Sequence, residues 1–245
     1  MKLLILAIYS DNDEYRVMRD IQRTYAHRFE NVHYYFTSFR EEQENDVMIE
    51  DDIVYVKGKE EYLNITYKTI KAFEFLLAKH SVDFVIRTNI STIVDIPKLI
   101  LYCERLDKTP IYTGYTQNLQ WLDPPAGIRD HSLRGTIYVT GTNIIISQDI
   151  AQCMVENKEK IRYDVVDDVS FGVFINKYFP GAHRRDQSIV LYSRGIIRPT
   201  ILANISDAMA SYVFYRNKMS EIINRVKNRA YDIQNMRTLV SWIYS

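Results

Sequence analysis

Short apolar runs alternate with helical patterns along the first half of this chain, and that alternation restricts the fold more than any other feature. Leu3 to Tyr9, LLILAIY, is closed by the polar residues Ser10 to Asp13, and Tyr15 to His27 then carries Val17, Ile21 and Tyr25 at helical spacing. Val32 to Thr37 reads as a second strand and Asp52 to Val56 as a short third. Asn64 to Lys79 has Ile65, Thr69, Ala72, Phe73, Leu76 and Leu77 on one helical side, and it feeds a strand at Asp83 to Arg87. Pro97 falls in the first turn of a helix running to about Leu106, where a missing N–H costs least, and Ile111 to Thr116 is another strand. Strands separated by helices predict an α/β fold with a mainly parallel sheet covered on both faces. Its ligand crevice then lies at the carboxyl ends of the strands.

Further on, Leu122 to Arg134 contains Asp123, Pro124, Pro125 and Gly127 and is expected to be a mobile loop over the crevice. Tyr138 to Ser147 reads as strand, turn and strand with Gly141 at the bend, Gln148 to Glu156 as a helix, and Val165 to Tyr178 as a helix entered through an acidic pair. From Ser206 onward the pattern changes. Met219, Ile222, Ile223, Val226, Ala230, Ile233, Met236 and Val240 recur at three and four, which predicts an amphipathic helical tail. The domain expectation is therefore a main unit over 1–200 and a helical tail over 201–245 packed on it. Arg216, Lys218, Arg225, Lys227, Arg229 and Arg237 make that tail locally basic, the composition of a solvated helix face, with a membrane surface or a partner helix as the alternatives.

Lysine plus arginine and aspartate plus glutamate both total 31, so no net field points to nucleic acid or to an acidic partner. Cys103 and Cys153 lie in helical patterns and read as small buried thiols. Met1 to Tyr9 lacks a small-residue cleavage site and reads as a first strand rather than a leader, and no run approaches the roughly 18 to 20 apolar residues that cross a bilayer. The chain is expected to be a soluble cytoplasmic protein without a transmembrane segment.

Four segments, in order, resemble the β-1,3-glycosyltransferase family that includes β-1,3-galactosyltransferases, β-1,3-N-acetylglucosaminyltransferases and Fringe. LLILAIYS followed by RDIQRTY, Arg19 to Tyr25, is similar to that family's first strand and its R-x-x-I-R-x-T-W helix, with Tyr25 standing for tryptophan. EYLNITYKT, Glu61 to Thr69, is similar to D-x-Y-x-N-L-T-x-K-T and shares Tyr62, Asn64, Thr66, Lys68 and Thr69. DFVIRTNIST, Asp83 to Thr92, stands in the place of the F-x-x-K-x-D-D-D strand end. YVTGTNIIIS and VVDDVSFG resemble Y-x-x-G-x-G-Y-x-x-S and the later E-D-V-x-x-G. The resemblance covers roughly Lys2 to Tyr192 and leaves the tail outside. It implies a single GT-A domain that binds a UDP-sugar and transfers the sugar to a glycan acceptor with inversion. Most animal members carry a membrane anchor and disulfides, which points here to a large virus, a microbe or an isolated catalytic domain, and in the viral case to the host cytoplasm.

Inverting transfer needs a base on the acceptor hydroxyl and charge stabilisation on the leaving diphosphate. Asp168 matches the family's base; Asp167 beside it either caps the helix or contacts the acceptor. The acidic triplet that holds Mn²⁺ in the family aligns with Asn89, Ile90 and Ser91, a set in which an amide and a hydroxyl replace carboxylates and isoleucine offers no ligand. The resemblance therefore implies a transferase whose metal is weakened or replaced by a cationic side chain. Arg19, Arg23, Lys68 and Arg87 are near candidates, and Arg184, Arg185 and Arg194 are further diphosphate candidates beside His183, which falls where a family histidine completes the metal site. Tyr9, Ser10 and Asp11 are placed to meet uridine, Asn89 and Ser91 to meet the donor's ribose or sugar, and Trp121 to stack on the acceptor. Asn64 and Thr66 either contact the site or cap the helix that follows. The alternative to an enzyme is a GT-A-fold protein that binds a nucleotide-sugar or glycan without turnover; a nucleotide hydrolase is disfavoured for want of a P-loop or a carboxylate cluster.

Overall fold

The most apolar run of the chain becomes the centre of the sheet. In the computed structural model, which describes residues 1–106, 110–193, 195–198, 200, 202, 211–218 and 229–245, Leu3–Ile8 (β1) pairs in parallel with Val32–Arg40 (β2) and Phe84–Asn89 (β5). Side chains of a strand alternate between faces. Leu3, Ile5 and Ala7 enter one core and Leu4 and Leu6 the other, so β1 needs an apolar residue at every position.

Beyond β2 the sheet continues through Ile53–Lys57 (β4) and the antiparallel edge Val47–Glu50 (β3). Beyond β5 it continues through Asn143–Ser147 (β10), Tyr112–Gly114 (β7) and His183–Arg185 (β11), giving the order β11-β7-β10-β5-β1-β2-β4-β3. β10 is antiparallel to both its neighbours. The predicted strand over Ile111 to Thr116 divides at Tyr115: β7 stays in the large sheet, while Thr116–Asn118 (β8) turns away to pair with Ile137–Val139 (β9).

Asp13–Ala26 (α1) and Ile96–Glu104 (α3) pack on one face, and Ile65–Leu77 (α2), Gln148–Glu156 (α4) and Asp167–Tyr178 (α5) on the other. Asn12 caps α1 through the Tyr15 N–H at 2.9 Å, and Asp95 caps α3 through the Lys98 N–H at 3.1 Å with Pro97 in the first turn. The loop between β8 and β9 is seated by its own core: Ala126, Ile128 and Leu133 are buried with Val165, Val166 and Val169 at the entrance of α5.

The expected helical tail is corrected at its beginning. Phe214–Asn217 (β13) is a strand, lying between Val190–Ser193 (β12) and Thr92–Val94 (β6) in a second sheet. Val213, Phe214 and Tyr215 favour a pleated surface, and pairing with β6 overrides the basic residues that suggested a helix. Met219 to Val226 lie outside the described residues. The described helix, Ala230–Tyr244, packs on α1 and buries Met236 and Leu239. Among the described residues, no helix is long and apolar enough to cross a membrane.

Tyr244 anchors this last helix. Its ring stacks on Tyr25 at 4.3 Å, while its hydroxyl accepts the Ile96 N–H at 3.0 Å and donates to the Val94 carbonyl. Tyr244→Ala is expected to cost about 3 kcal/mol of stability and Tyr244→Phe about 1 kcal/mol in urea denaturation. Unchanged midpoints in both would mean that the helix is not held through this residue.

Candidate active site

A cleft of about 640 Å³ opens where β1 and β5 end. Its lining includes Ser10 after β1, Asn89 and Ser91 after β5, Tyr62 in the short turn before α2, the Thr140–Thr142 turn between β9 and β10, and Asp168 at the start of α5. The crevice expected from the strand–helix alternation therefore exists, and the acidic pair opens into it.

The two neighbouring aspartates have opposite surroundings. Asp167 is 1% exposed and receives the Arg87 guanidinium on both oxygens, Nε at 2.7 Å and Nη2 at 2.9 Å, with the Thr69 hydroxyl at 3.3 Å. Its charge is neutralised in place by a two-pronged ion pair. Asp168 is part-buried, and among the described residues no cationic side chain is bonded to it. Its oxygens accept the Val169 N–H at 2.8 Å and the Gly141 N–H at 3.1 Å. Burial, with the Asp167 charge next to it, raises its carboxyl to about 6, against the opposing pull of Arg87. Such a carboxylate is ionised at neutral pH yet holds a proton more strongly than an ordinary one.

Two motif glycines owe their identity to this corner. Arg87 Nη1 donates to the Gly141 carbonyl and to Asn89 Oδ1 at 3.0 Å, and a Cβ on residue 141 would clash with that nitrogen. At position 172 a Cβ would lie 2.6 Å from that of Tyr138, so the glycine lets α5 lie against β9.

EYLNITYKT forms the joint beneath the cleft. Thr66 donates to the Val165 carbonyl at 2.8 Å and Thr69 contacts Asp167, which ties α2 to the start of α5. Lys68 is fully buried; its ammonium donates to the Tyr9 carbonyl at 2.8 Å and pairs with Glu60 at 2.6 Å, which fixes the end of β1. Burial lowers the Lys68 pKa, and Glu60 opposes the shift. Neither Asn64 nor Thr66 caps α2: Asn64 donates to the Lys59 carbonyl at 3.0 Å instead.

Asn89, Ile90 and Ser91 each have a separate partner. Asn89 accepts Arg87; Ile90 has its side chain in the core and its carbonyl on buried Gln22; Ser91 accepts Arg216 Nη1 on its hydroxyl oxygen. This set does not fit a divalent ion. It offers no carboxylate, one of its side chains is apolar, and a guanidinium already occupies the serine oxygen. Among the described residues, no three His, Cys, Asp or Glu are grouped to hold a metal.

The remaining candidates are dispersed. Tyr9 is buried, with its hydroxyl bonded to Asp11 at 2.6 Å and Arg19 Nη1 at 3.2 Å, so its ring is not offered to a base; Asp11 pairs with Arg16 at 2.7 Å. Lys68 faces inward. Arg23 pairs with Asp52, and neither it nor Arg19 is in the cleft lining. Arg184 and Arg185 lie on the edge strand β11 and line a different groove with Lys98 and Arg105, because β11 pairs at the far end of the sheet from the β1–β2 side. His183 bonds Asn176 at 2.5 Å and packs on Tyr112. Trp121 is 51% exposed on the seated loop and does not line the cleft; Arg194 is outside the described residues. Sequence reasoning missed Tyr15, Tyr192, Arg216 and Lys218, all of which line the cleft. Tyr15 had only helical spacing as a signal, and the two cations had been assigned to a helix.

With its α/β layers and a cleft at the carboxyl ends of the strands, the molecule has the GT-A-like fold of glycosyltransferases. Residues 37–183 match the galactosyltransferase family, and the chain belongs to it. A curated relative, the UDP-GalNAc:beta-1,3-N-acetylgalactosaminyltransferase 2 of Xenopus tropicalis, is 24% identical over 149 residues. That match takes in 54% of this chain and 28% of the relative's length, so the chain spans well under half of that protein. Similar solved structures include a glycosyltransferase involved in the glycosylation of the major capsid of PBCV-1, at 12% identity and TM-score 0.48, covering 96% of this chain and 98% of that one. Another is the galactosyltransferase LgtC in complex with donor and acceptor sugar analogs, at 11% identity and TM-score 0.46, covering 96% and 95%.

The Asp168 environment has a measurable consequence for stability. Its folded pKa lies above the ordinary 3.8, so folding favours the protonated form, and this contribution is lost as pH rises from about 4 through about 6. Asp168→Asn, neutral throughout, should be more stable than the wild type at pH 7 by about 3 kcal/mol, with most of the difference gone near pH 4. A variant less stable than the wild type at pH 7 would contradict that environment.

Proposed function

We propose that this protein is an inverting glycosyltransferase that moves a sugar from a UDP-sugar to a glycan hydroxyl, with Asp168 as the base and without a divalent ion. The observation that carries the reading is the division of roles in the acidic pair: Asp167 is held by Arg87, while Asp168 faces the cleft with its pKa raised to about 6. Membership of the galactosyltransferase family and the named activity of the Xenopus relative support a UDP-sugar donor and a β-1,3 linkage.

In this reaction the Asp168 carboxylate takes the proton of the acceptor hydroxyl as that oxygen attacks the anomeric carbon. The bond from that carbon to the diphosphate oxygen breaks, and UDP departs with the electron pair. Arg87 and the Gly141 N–H position the base rather than touch the sugar. Tyr62 and Tyr192, both on the cleft wall, offer ring faces to a sugar. A second reading, a nucleotide-sugar or glycan binder without turnover, is favoured by the Asn89-Ile90-Ser91 set.

UDP release from a panel of UDP-sugars, in EDTA and in Mn²⁺, separates the two. The transferase reading expects turnover of at least one donor that persists in EDTA. Bound UDP with no turnover of any donor would leave the binder, and turnover that collapses in EDTA would refute metal independence. In the active enzyme kcat should fall on the acid side with a midpoint near pH 6, because the base must be ionised. Asp168→Asn should lose about 100-fold to 10,000-fold in kcat with UDP affinity kept.

A further inference from the structure

We propose that a second groove, across the turn before α2 from the cleft, binds a neutral oligosaccharide, so that the acceptor is a glycan chain whose further sugar units rest on Tyr67 and Tyr163. The proposal rests on the transferase reading above and names the class of its acceptor.

The groove has a volume of about 610 Å³, and its walls include Leu63, Asn64 and Tyr67 at the start of α2 and Tyr163 before α5. Both walls continue into the cleft. Along the first, Glu61, Tyr62 and Ile65 line the cleft while Leu63, Asn64 and Tyr67 line the groove. Tyr62 and Ile65 share a face because a tight helical turn repeats about every three residues. Along the second, Tyr163 lines the groove and Val166, Asp167 and Asp168 line the cleft. The Thr66 hydroxyl joins the two walls by donating to the Val165 carbonyl at 2.8 Å. One ridge therefore separates the two sites, and the exposed ring of Tyr62 belongs to it.

The groove's rings are fixed before any ligand arrives. Tyr67 lies parallel to Phe39 at 6.5 Å and meets Tyr163 edge-on at 6.2 Å, and the Tyr163 hydroxyl donates to the Lys158 carbonyl at 3.0 Å. Both tyrosines nevertheless remain exposed. Rings held in this way lose little conformational freedom on binding. The charges around them are already neutralised: Lys158 pairs with Glu74, Lys71 lies 3.6 Å from both Glu74 and Asp46, and Glu159 lies 3.7 Å from Lys160. An ionic ligand would gain little there. Aromatic surface with the polar side chain of Asn64 and the tyrosine hydroxyls instead suits the C–H faces and hydroxyls of uncharged sugars.

An array of neutral glycans graded from monosaccharides to tetrasaccharides, probed with the full chain, tests this without requiring turnover. Wild-type binding should rise with chain length. Tyr163→Ala and Tyr67→Ala should each weaken binding of the longest glycans about 10-fold, whereas Tyr67→Phe, which keeps the ring, should retain most of it. Urea midpoints report whether each variant is folded, and Tyr163→Ala decides if Tyr67→Ala is not. Binding that ignores chain length, that no neutral glycan shows, or that both alanine variants keep would overturn the proposal. A dimer in sedimentation that Tyr163→Ala dissolves would also overturn it, because a second copy would then cover the rings. Tyrosine-dependent glycan binding with no turnover of any UDP-sugar would support the groove and sink the transferase reading. Donor turnover with glycan binding unchanged in both alanine variants would do the reverse, so the two failures are distinguishable.

Discussion

The buried pair between Arg87 and Asp167 is the contact on which the site depends. A guanidinium on a central strand cannot be left alone in a core: moving an ion out of water costs several kcal/mol even after relaxation, and only a well-fitted partner offsets it. Arg87 finds that partner at the first turn of α5, and its other nitrogen reaches Asn89 and the Gly141 carbonyl. One side chain therefore fixes β5, the β9–β10 turn and the start of α5 relative to each other. Thr69 adds α2 through Asp167. Asp168 inherits its position from this arrangement, and so does the Gly141 N–H that it accepts.

The same pair sets the electrostatics of the cleft. Burial, with Asp167 next to it, raises the Asp168 carboxyl to about 6, and Arg87 nearby opposes the rise. Two adjacent residues of one type thus differ: Asp167 is held in an ion pair and Asp168 faces the cleft. Elsewhere in the lining Asn89, Ile90 and Ser91 offer no carboxylate, and the Ser91 hydroxyl accepts the Arg216 guanidinium.

Much of this was legible in the sequence because it depends on local pattern. β1 had to be central, since it is apolar at every position, and the helices followed from their spacing. Asp168 and the Asn89-Ile90-Ser91 set stood out through the family resemblance, and both line the cleft. What the sequence concealed was long-range. Lys68 reads as a phosphate ligand until Glu60 and the Tyr9 carbonyl are seen around it, and Arg184 and Arg185 read as site residues until β11 pairs with β7 at the sheet edge. Arg216 and Lys218 looked like the polar face of a helix, because helical and strand readings of V-F-Y-R-N differ only in what the segment pairs with. β6 is far away in sequence, and no local rule points to it.

In the transferase reading the donor lies in the cleft beside Asp168, and no divalent ion is needed to hold its diphosphate there. A crystal structure of the protein with UDP bound in the presence of EDTA tests it most directly. The expected result is a diphosphate ordered in this cleft, with the Asp168 carboxylate facing the side where the sugar would lie. Diphosphate ordered elsewhere, for example in the groove of Arg184 and Arg185, or ordered only when a divalent ion is added, would contradict it.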